Sequence, residues 1–312
     1  MIELERYSKA VAITPNDSVD LATRADAIYV GSGNWTEDTT AAQLSDPVFW
    51  LRADKGVIGT SSVSAWADQS GNGNDAANVA LQNPVLSTSE TLINNQAAVD
   101  FQSGDAMKVD DNNDHDFDGA FEIMVLVKFD SLGTYQAIIS KDSDDSIWNL
   151  KKDNDQTIIF KANGADPATT STVSADTWYL VGVSRTALNS IQMYLDGVAD
   201  GSPVSNSTDF TTSDDMYIGK RNAGTERHLD GQIAEIIMWD KKLNTDQYAY
   251  ATWYMDNRYL RGDVEHNFVD VKMTLDGDVV VQRLKRGEVH KLAPTRIWAA
   301  DTNGADIIAL NE

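Results

Sequence analysis

The chain of 312 residues contains no cysteine, so disulfides and thiolate metal sites are excluded and no redox compartment can be read from it. Positive charge is scarce: 25 Lys and Arg face 48 Asp and Glu, for a net charge of -23. A surface this negative repels nucleic acid and anionic lipid, so neither nucleic acid nor a membrane is an expected partner. It suits solubility in a salty medium, where repulsion between like charges is screened. No apolar run approaches bilayer length. Met1-Ile2-Glu3-Leu4-Glu5-Arg6 lacks the basic-then-apolar order of a secretory signal. The expectation is therefore assembly in a cytoplasm and export on something larger, which makes the sequons Asn34-Trp35-Thr36 and Asn206-Ser207-Thr208 accidental. The histidines, His115, His228, His266 and His290, stand apart, and none neighbours a nucleophile or falls in metal-ligand spacing. Phosphate-binding glycine loops are absent as well.

What is present is β-structure. Short alternating runs bounded by Gly, Asn, Asp and Ser fill the chain, the pattern of an all-β sandwich. Strands are predicted over 97–101, 121–129, 137–141, 148–152, 157–162, 178–185, 190–195, 215–220 and 231–239. Ile191-Gln192-Met193-Tyr194-Leu195 alternates with period 2, and Asp196-Gly197 turns it into Val198-Ala199. The run Trp178-Tyr179-Leu180-Val181-Gly182-Val183-Ser184 is more continuously apolar, as a strand covered on both faces is. One helix interrupts the strands. Asn244 is its N-cap, Asp246 lies in its first turn, and Tyr248, Ala251, Tyr254 and Met255 recur at helical spacing up to Arg258. That aromatic stripe predicts packing against the sandwich.

The two ends read as halves of one small module, since each alone is too short to bury a core. The first half carries Val11-Ala12-Ile13 and Ala27-Ile28-Tyr29-Val30, and the last closes on Ile307-Ile308-Ala309-Leu310. Between them the tail alternates over 269–275 and 278–284, with turns at Asp276-Gly277, Arg286-Gly287 and Asn303-Gly304 and a proline at Pro294. Insertion succeeds where strand ends meet at an exposed turn, and Gly31-Ser32-Gly33-Asn34 is such a place. The expected organisation is a small β-barrel or sandwich base formed by 1–34 and 267–312, with a β-sandwich over 46–260 inserted into it.

Several ordered motifs in the middle resemble the laminin-G-like, concanavalin-A-like jelly-roll family. They are Phe49-Trp50-Leu51-Arg52-Ala53-Asp54, the loop Trp66-Ala67-Asp68-Gln69-Ser70-Gly71-Asn72-Gly73-Asn74, Ala98-Val99-Asp100-Phe101, Met193-Tyr194-Leu195-Asp196-Gly197 and Leu229-Asp230-Gly231-Gln232-Ile233-Ala234-Glu235. In the last of these Leu229 replaces the family's usual Phe. The ends resemble a second family, the trimer-forming base proteins of spikes and head fibres on tailed bacteriophages and related gene-transfer particles. That likeness rests on Ile13-Thr14-Pro15-Asn16-Asp17-Ser18-Val19-Asp20-Leu21, on Ala27-Ile28-Tyr29-Val30-Gly31 and on Ala300-Asp301-Thr302-Asn303-Gly304-Ala305-Asp306-Ile307-Ile308-Ala309-Leu310. In that family the pieces are continuous apart from a short turn, whereas here a whole sandwich follows Gly31.

The best chemical candidate is a structural calcium site, because hard cations want several convergent oxygens. By analogy with folds of the jelly-roll shape, its ligands would be Asp68, Asn72 and Asp230; the plain alternative is that Asp68 and Asn72 close Asx turns while Asp230 caps a strand. A second acidic run, Asp110-Asp111-Asn112-Asn113-Asp114-His115-Asp116, reads as a solvated turn. Catalysis finds little support: Glu235 and Asp240 are five apart and point to opposite faces, so no same-face carboxylate pair is offered, and the protein is expected not to be an enzyme. Trp148, Asn149, Tyr135 and the Arg221-Asn222-Ala223-Gly224 loop offer contributors to a sugar site without fixing one. The resemblances together imply a virion structural protein, a homotrimeric capsid decoration or head-fibre protein. It would seat on the major capsid protein or another virion protein and display a jelly roll that loosely engages cell-surface glycan. The competing class is a free carbohydrate-binding protein or a glycan-active enzyme.

Overall fold

The structure, a computed structural model, describes residues 9–13, 27–30, 44–79, 83–102, 104–141, 147–163, 166–187, 189–221, 227–260, 268–275, 278–285, 289–290, 296–297 and 307–311. The chain divides into two compact units, Met1–Asp38 with Arg261–Glu312, and Thr39–Leu260. No described helix is long and apolar enough to cross a membrane.

In the first unit the last strand, Ile307–Asn311, lies between Lys9–Ile13 and Ala27–Val30 and runs antiparallel to both. The register runs from Lys9 opposite Asn311 to Ile13 opposite Ile307, and Val289–His290 completes a four-stranded sheet beside Ala27–Val30. A three-stranded sheet sets Phe268–Leu275 between Asp278–Lys285 and Arg296–Ile297. The turns expected at Asp276-Gly277, Arg286-Gly287 and Asn303-Gly304, and Pro294, lie outside the described residues.

The second unit is a sandwich of two sheets, each nine-stranded among the described residues. The first sheet centres on Phe121–Phe129, flanked by Trp178–Arg185 and Gly231–Trp239, and Phe49–Arg52 adds to the latter. The second runs from Ala168–Thr172 through Thr157–Ala162, Trp148–Lys152, Gln136–Lys141, Met216–Ile218 and Met107–Val109 to the short strands Ala76–Asn78, Ala65–Trp66 and Val57–Ile58. Side-chain alternation builds the core between them. Ile123, Val125 and Val127 of the first sheet meet Trp148, Leu150, Phe160 and Ile218 of the second, all fully buried. Gly219 at the end of Met216–Ile218 has φ of +79°, and a Cβ there would run into the ring of Phe101, so glycine is required twice over. Asp196 and Gly197, with φ of 50° and 76°, make the tight turn between Ser190–Leu195 and Val198–Ala199.

The outer face of the first sheet is also apolar, which accounts for the continuous hydrophobic runs of its central strands. The helix Thr245–Met255 covers it, opened by a capping box in which Asn244 and Gln247 exchange side-chain and backbone hydrogen bonds. Ala251, Tyr254 and Met255 of the helix, with Tyr259 from the π-turn Asp256–Leu260, pack on Trp50, Met124, Leu126 and Trp239. A β-bulge opposite Leu126 and Val127 leaves Ala234 without a partner on Phe121–Phe129. It resets the alternation, so that Ile233 and Ile236 both enter the inter-sheet core while Ala234 and Glu235 both face the helix.

A second buried acid fastens the start of the helix. Glu122, fully buried, accepts from Lys242 Nζ at 2.7 Å and from the Leu243 amide at 3.3 Å. Burial outweighs the attraction of Lys242 and pushes the carboxyl up to about 7. The folded protein thus holds a proton on Glu122 over a range where the unfolded chain has released it. Its contribution to stability is present below the ordinary glutamate range and is lost as pH rises through about 7. The melting temperature is expected to fall across that window, and Glu122→Gln to flatten the fall. Thermal scans at a series of pH values check this, and an equal slope in the variant would refute it.

Candidate functional site

The three expected metal ligands do not converge. Asp68 Oδ1 accepts the amides of Trp50 and Ser70, each at 2.9 Å, while Oδ2 accepts Ser70 Oγ at 2.6 Å and the Asn74 amide at 3.1 Å. Asn72 Nδ2 donates to the Val48 carbonyl at 2.9 Å, in the same loop system. Asp230 lies elsewhere: its carboxylate accepts from Ser131 Oγ and its amide donates to Gln136 Oε1. Trp50, to which Asp68 is bonded, stands opposite Ile237, whereas Asp230 precedes Gly231 at the other end of the same strand. The seven residue steps from Asp230 to Ile237 span on the order of 20 Å. Among the described residues no group of three or more His, Cys, Asp or Glu side chains could hold a metal ion. Both oxygens of Asp68 are occupied by N–H and O–H donors, so it closes an Asx turn and ties the loop to Phe49–Arg52. Asp68→Ala is expected to cost roughly 1–3 kcal/mol, measured by urea unfolding, and to cost the same with or without excess chelator.

The acidic run at 110–116 wraps a buried lysine. Lys141, fully buried, places Nζ 2.8 Å from Asp111 Oδ1 and 2.5 Å from Asp116 Oδ1. His115 is buried edge-on to Phe49 with neither ring nitrogen partnered. Burial, and then the Lys141 charge, push its imidazole down to about 4, so it stays neutral at physiological pH.

The outer face of the second sheet holds the candidate binding site. Because Trp148 and Leu150 point into the core, Asn149 and Lys151 face outward; Met216 and Ile218 do the same for Tyr217, and Met107 and Val109 for Lys108. Sheet register then sets Lys161, Asn149, Ser140, Tyr217 and Lys108 in one transverse row. Asn149 is fully buried, yet neither its Nδ2 nor its Oδ1 has a hydrogen-bond partner. Such a group costs stability unless something occupies it. Beside the row, Tyr135 carries Lys151 and Arg227 over its ring at 4.8 and 5.1 Å. Of the sugar-site contributors, Asn149 and Tyr135 thus belong to this region, while Trp148 is core and its indole N–H is buried without a partner. The loop residues 222–224 lie outside the described residues.

Residues 101–248 match the profile of the concanavalin A-like lectin/glucanases superfamily. This sandwich is a concanavalin A-like jelly roll. Solved structures share the fold at low identity. Domain 4 of an extracellular arabinanase from Geobacillus stearothermophilus, solved in complex with arabinotriose, is 13% identical with a TM-score of 0.52, over 67% of this chain and 98% of that one. The binding domain of Paraclostridial mosquitocidal protein 1 is 13% identical with a TM-score of 0.51, over 68% of this chain and 52% of that one. A Trypanosoma rangeli sialidase, solved with a difluoro sugar acid, is 16% identical with a TM-score of 0.50, over 68% of this chain and 33% of its own. The match thus spans about half of the mosquitocidal domain and a third of the sialidase. At these identities the likeness shows the fold alone. No curated protein matches the sequence. The jelly roll has the lectin-like fold, and the unpartnered Asn149 lies on the outer face of its second sheet.

Proposed function

We propose that the protein is a non-catalytic adhesive component of a tailed-phage virion, a capsid decoration or head-fibre protein assembled in the host cytoplasm. The observation that carries this reading is the pairing of Ile307–Asn311 with Lys9–Ile13 on one side and Ala27–Val30 on the other. Strands from before and after the jelly roll belong to one unit, whose motifs resemble trimer-forming spike and head-fibre bases, and the jelly roll is the part displayed. The terminal unit forms a homotrimer and seats on the major capsid protein or another virion protein. The jelly roll meets cell-surface glycan through the outer face of its second sheet, and threefold repetition turns weak sugar contacts into avidity.

Native mass measurement of the intact protein tests the assembly. A trimer that dissociates when residues 1–33 are deleted supports it, and a monomer at micromolar concentration overturns it. One observation favours a second reading, a free carbohydrate-binding protein. The arabinanase domain, matched over 98% of its length, was solved with a bound sugar. That reading expects a monomer that binds sugar, so the same measurement separates the two.

A further inference from the structure

On a chain with net charge -23, one face gathers cations. The transverse row on the second sheet ends at lysines that carry their own carboxylates. Lys161 pairs with Asp166 at 2.5 Å, and Lys108 with Asp110 at 2.7 Å and Asp215 at 3.1 Å. The middle of the row, Asn149, Ser140 and Tyr217, is uncharged. Lys220 lies over the Tyr217 ring at 4.5 Å, and its backbone carbonyl accepts from Ser140 Oγ at 3.0 Å. Burial lowers the affinity of the Lys220 amine for its proton, with no carboxylate among the described residues offsetting it. An anion placed there would restore what burial takes away.

The aromatic rings point the same way. A sugar-binding tyrosine normally offers a bare face to the apolar side of a pyranose. Here Tyr217 holds Lys220, and Tyr135 holds both Lys151 and Arg227. Rings used in this way fix positive charge in place. Asn149, buried with donor and acceptor both unpartnered, matches a pair of hydroxyls in chemistry. It stands two strand spacings from Tyr217, roughly 10 Å, a span that suits neighbouring units of a polymer better than one monosaccharide.

We infer, resting on the proposal that this face takes glycan, that its ligand is an acidic saccharide of the uronic-acid class, with hydroxyls on Asn149 and the carboxylate on Lys220. On a chain of net charge -23, a cation fixed over the Tyr217 ring at Lys220 is a local exception. It would favour acidic chains threaded along the face and disfavour anionic surfaces met elsewhere on the molecule.

The test uses the full-length protein and three carboxylated polymers (polygalacturonate, alginate and hyaluronate), each beside its carboxyl-reduced, neutral form. Affinity electrophoresis is expected to show retention by at least one acidic polymer and about tenfold weaker retention by its reduced form. Salt should weaken the acidic contact, and Lys220→Gln should weaken it by about tenfold with an unchanged melting curve. Asn149→Ala should weaken retention by both forms. Equal retention by the acidic and reduced polymers, or a Lys220→Gln variant that binds as tightly as the parent, overturns the acidic assignment. If Asn149→Ala still weakens binding in that case, the glycan reading survives alone. No retention by any of the six polymers sinks the glycan reading of this face and the inference with it.

Discussion

Replacing Glu235 with alanine is expected to cost about 3–5 kcal/mol of folding stability, the range found when one member of a buried charged cluster is removed. The carboxylate accepts Trp50 Nε1 and Tyr259 OH, both at 2.6 Å, and Tyr254 OH at 3.2 Å. Arg258 stands 3.8 Å away, and Arg258 and Arg52 share Asp54 at 2.5 and 2.8 Å. Burial raises the Glu235 carboxyl above its usual range. Burial also works against Asp54, but the two guanidiniums outweigh it and hold that carboxyl low. Alanine would strand a buried indole N–H and two buried phenols and would remove one carboxylate from beside the two guanidiniums. Because these groups join Phe49–Arg52, the bulged strand Gly231–Trp239 and the turn after the helix, the loss should appear in global unfolding of this unit. Urea titration reads it directly, and the melting temperature should drop by roughly 10 °C. Glu235→Gln keeps the volume and one acceptor oxygen and should cost less. A loss under about 1 kcal/mol for the alanine variant would show that the cluster is not what holds the helix to the sheet.

Arg185 should be nearly as sensitive for a different reason. Its fully buried guanidinium donates to the carbonyls of Gly119, Thr208 and Phe117 at 2.5, 2.6 and 2.7 Å. It also lies over the rings of Phe121 and Phe210, at 5.4 and 4.6 Å. These carbonyls and rings, rather than a hydrogen-bonded carboxylate, solvate the cation, and burial lowers its hold on the proton accordingly. The fork of donors is what fits, since a lysine ammonium on a flexible stem cannot address three carbonyls in this geometry. Arg185→Ala is expected to cost about 3–5 kcal/mol and Arg185→Lys about 2 kcal/mol, each by urea unfolding. Equal stability of the lysine variant and the parent would mean that charge, and not the fork, is what the site requires.

The sandwich and its single helix were legible because long central strands alternate or run apolar, and because Asn244 and Gln247 form a recognisable capping box. The edge strands were not. Val85–Glu90 and Ala168–Thr172 are polar, largely exposed and without alternation, so pairing with a neighbour, not composition, makes them strands. The buried acids were missed for a related reason. Glu122 and Glu235 lie inside apolar runs where a carboxylate looks like an exposed position, and their partners Lys242, Tyr254 and Tyr259 come from a helix segment far along the chain. At the candidate site the signal was present but not used. The alternation Trp148-Asn149-Leu150-Lys151 already separates an inward Trp from an outward Asn. Only the sheet register could show Ser140 and Tyr217 in line with it. The loop at 68–74 is rich in oxygens, and those of Asp68 accept N–H and O–H donors from within the loop, which composition does not reveal.

The pairing of Lys9 with Asn311 has a kinetic consequence. During synthesis the opening strands leave the ribosome long before Ile307–Asn311 exists. At ordinary elongation rates that interval is roughly 15–60 s. The lectin-like unit can finish folding inside it, whereas the four-stranded sheet must wait until Ile307–Asn311 has been made. A product stopped before Ile307 would therefore carry a folded jelly roll and lack an inner strand of the other unit's four-stranded sheet.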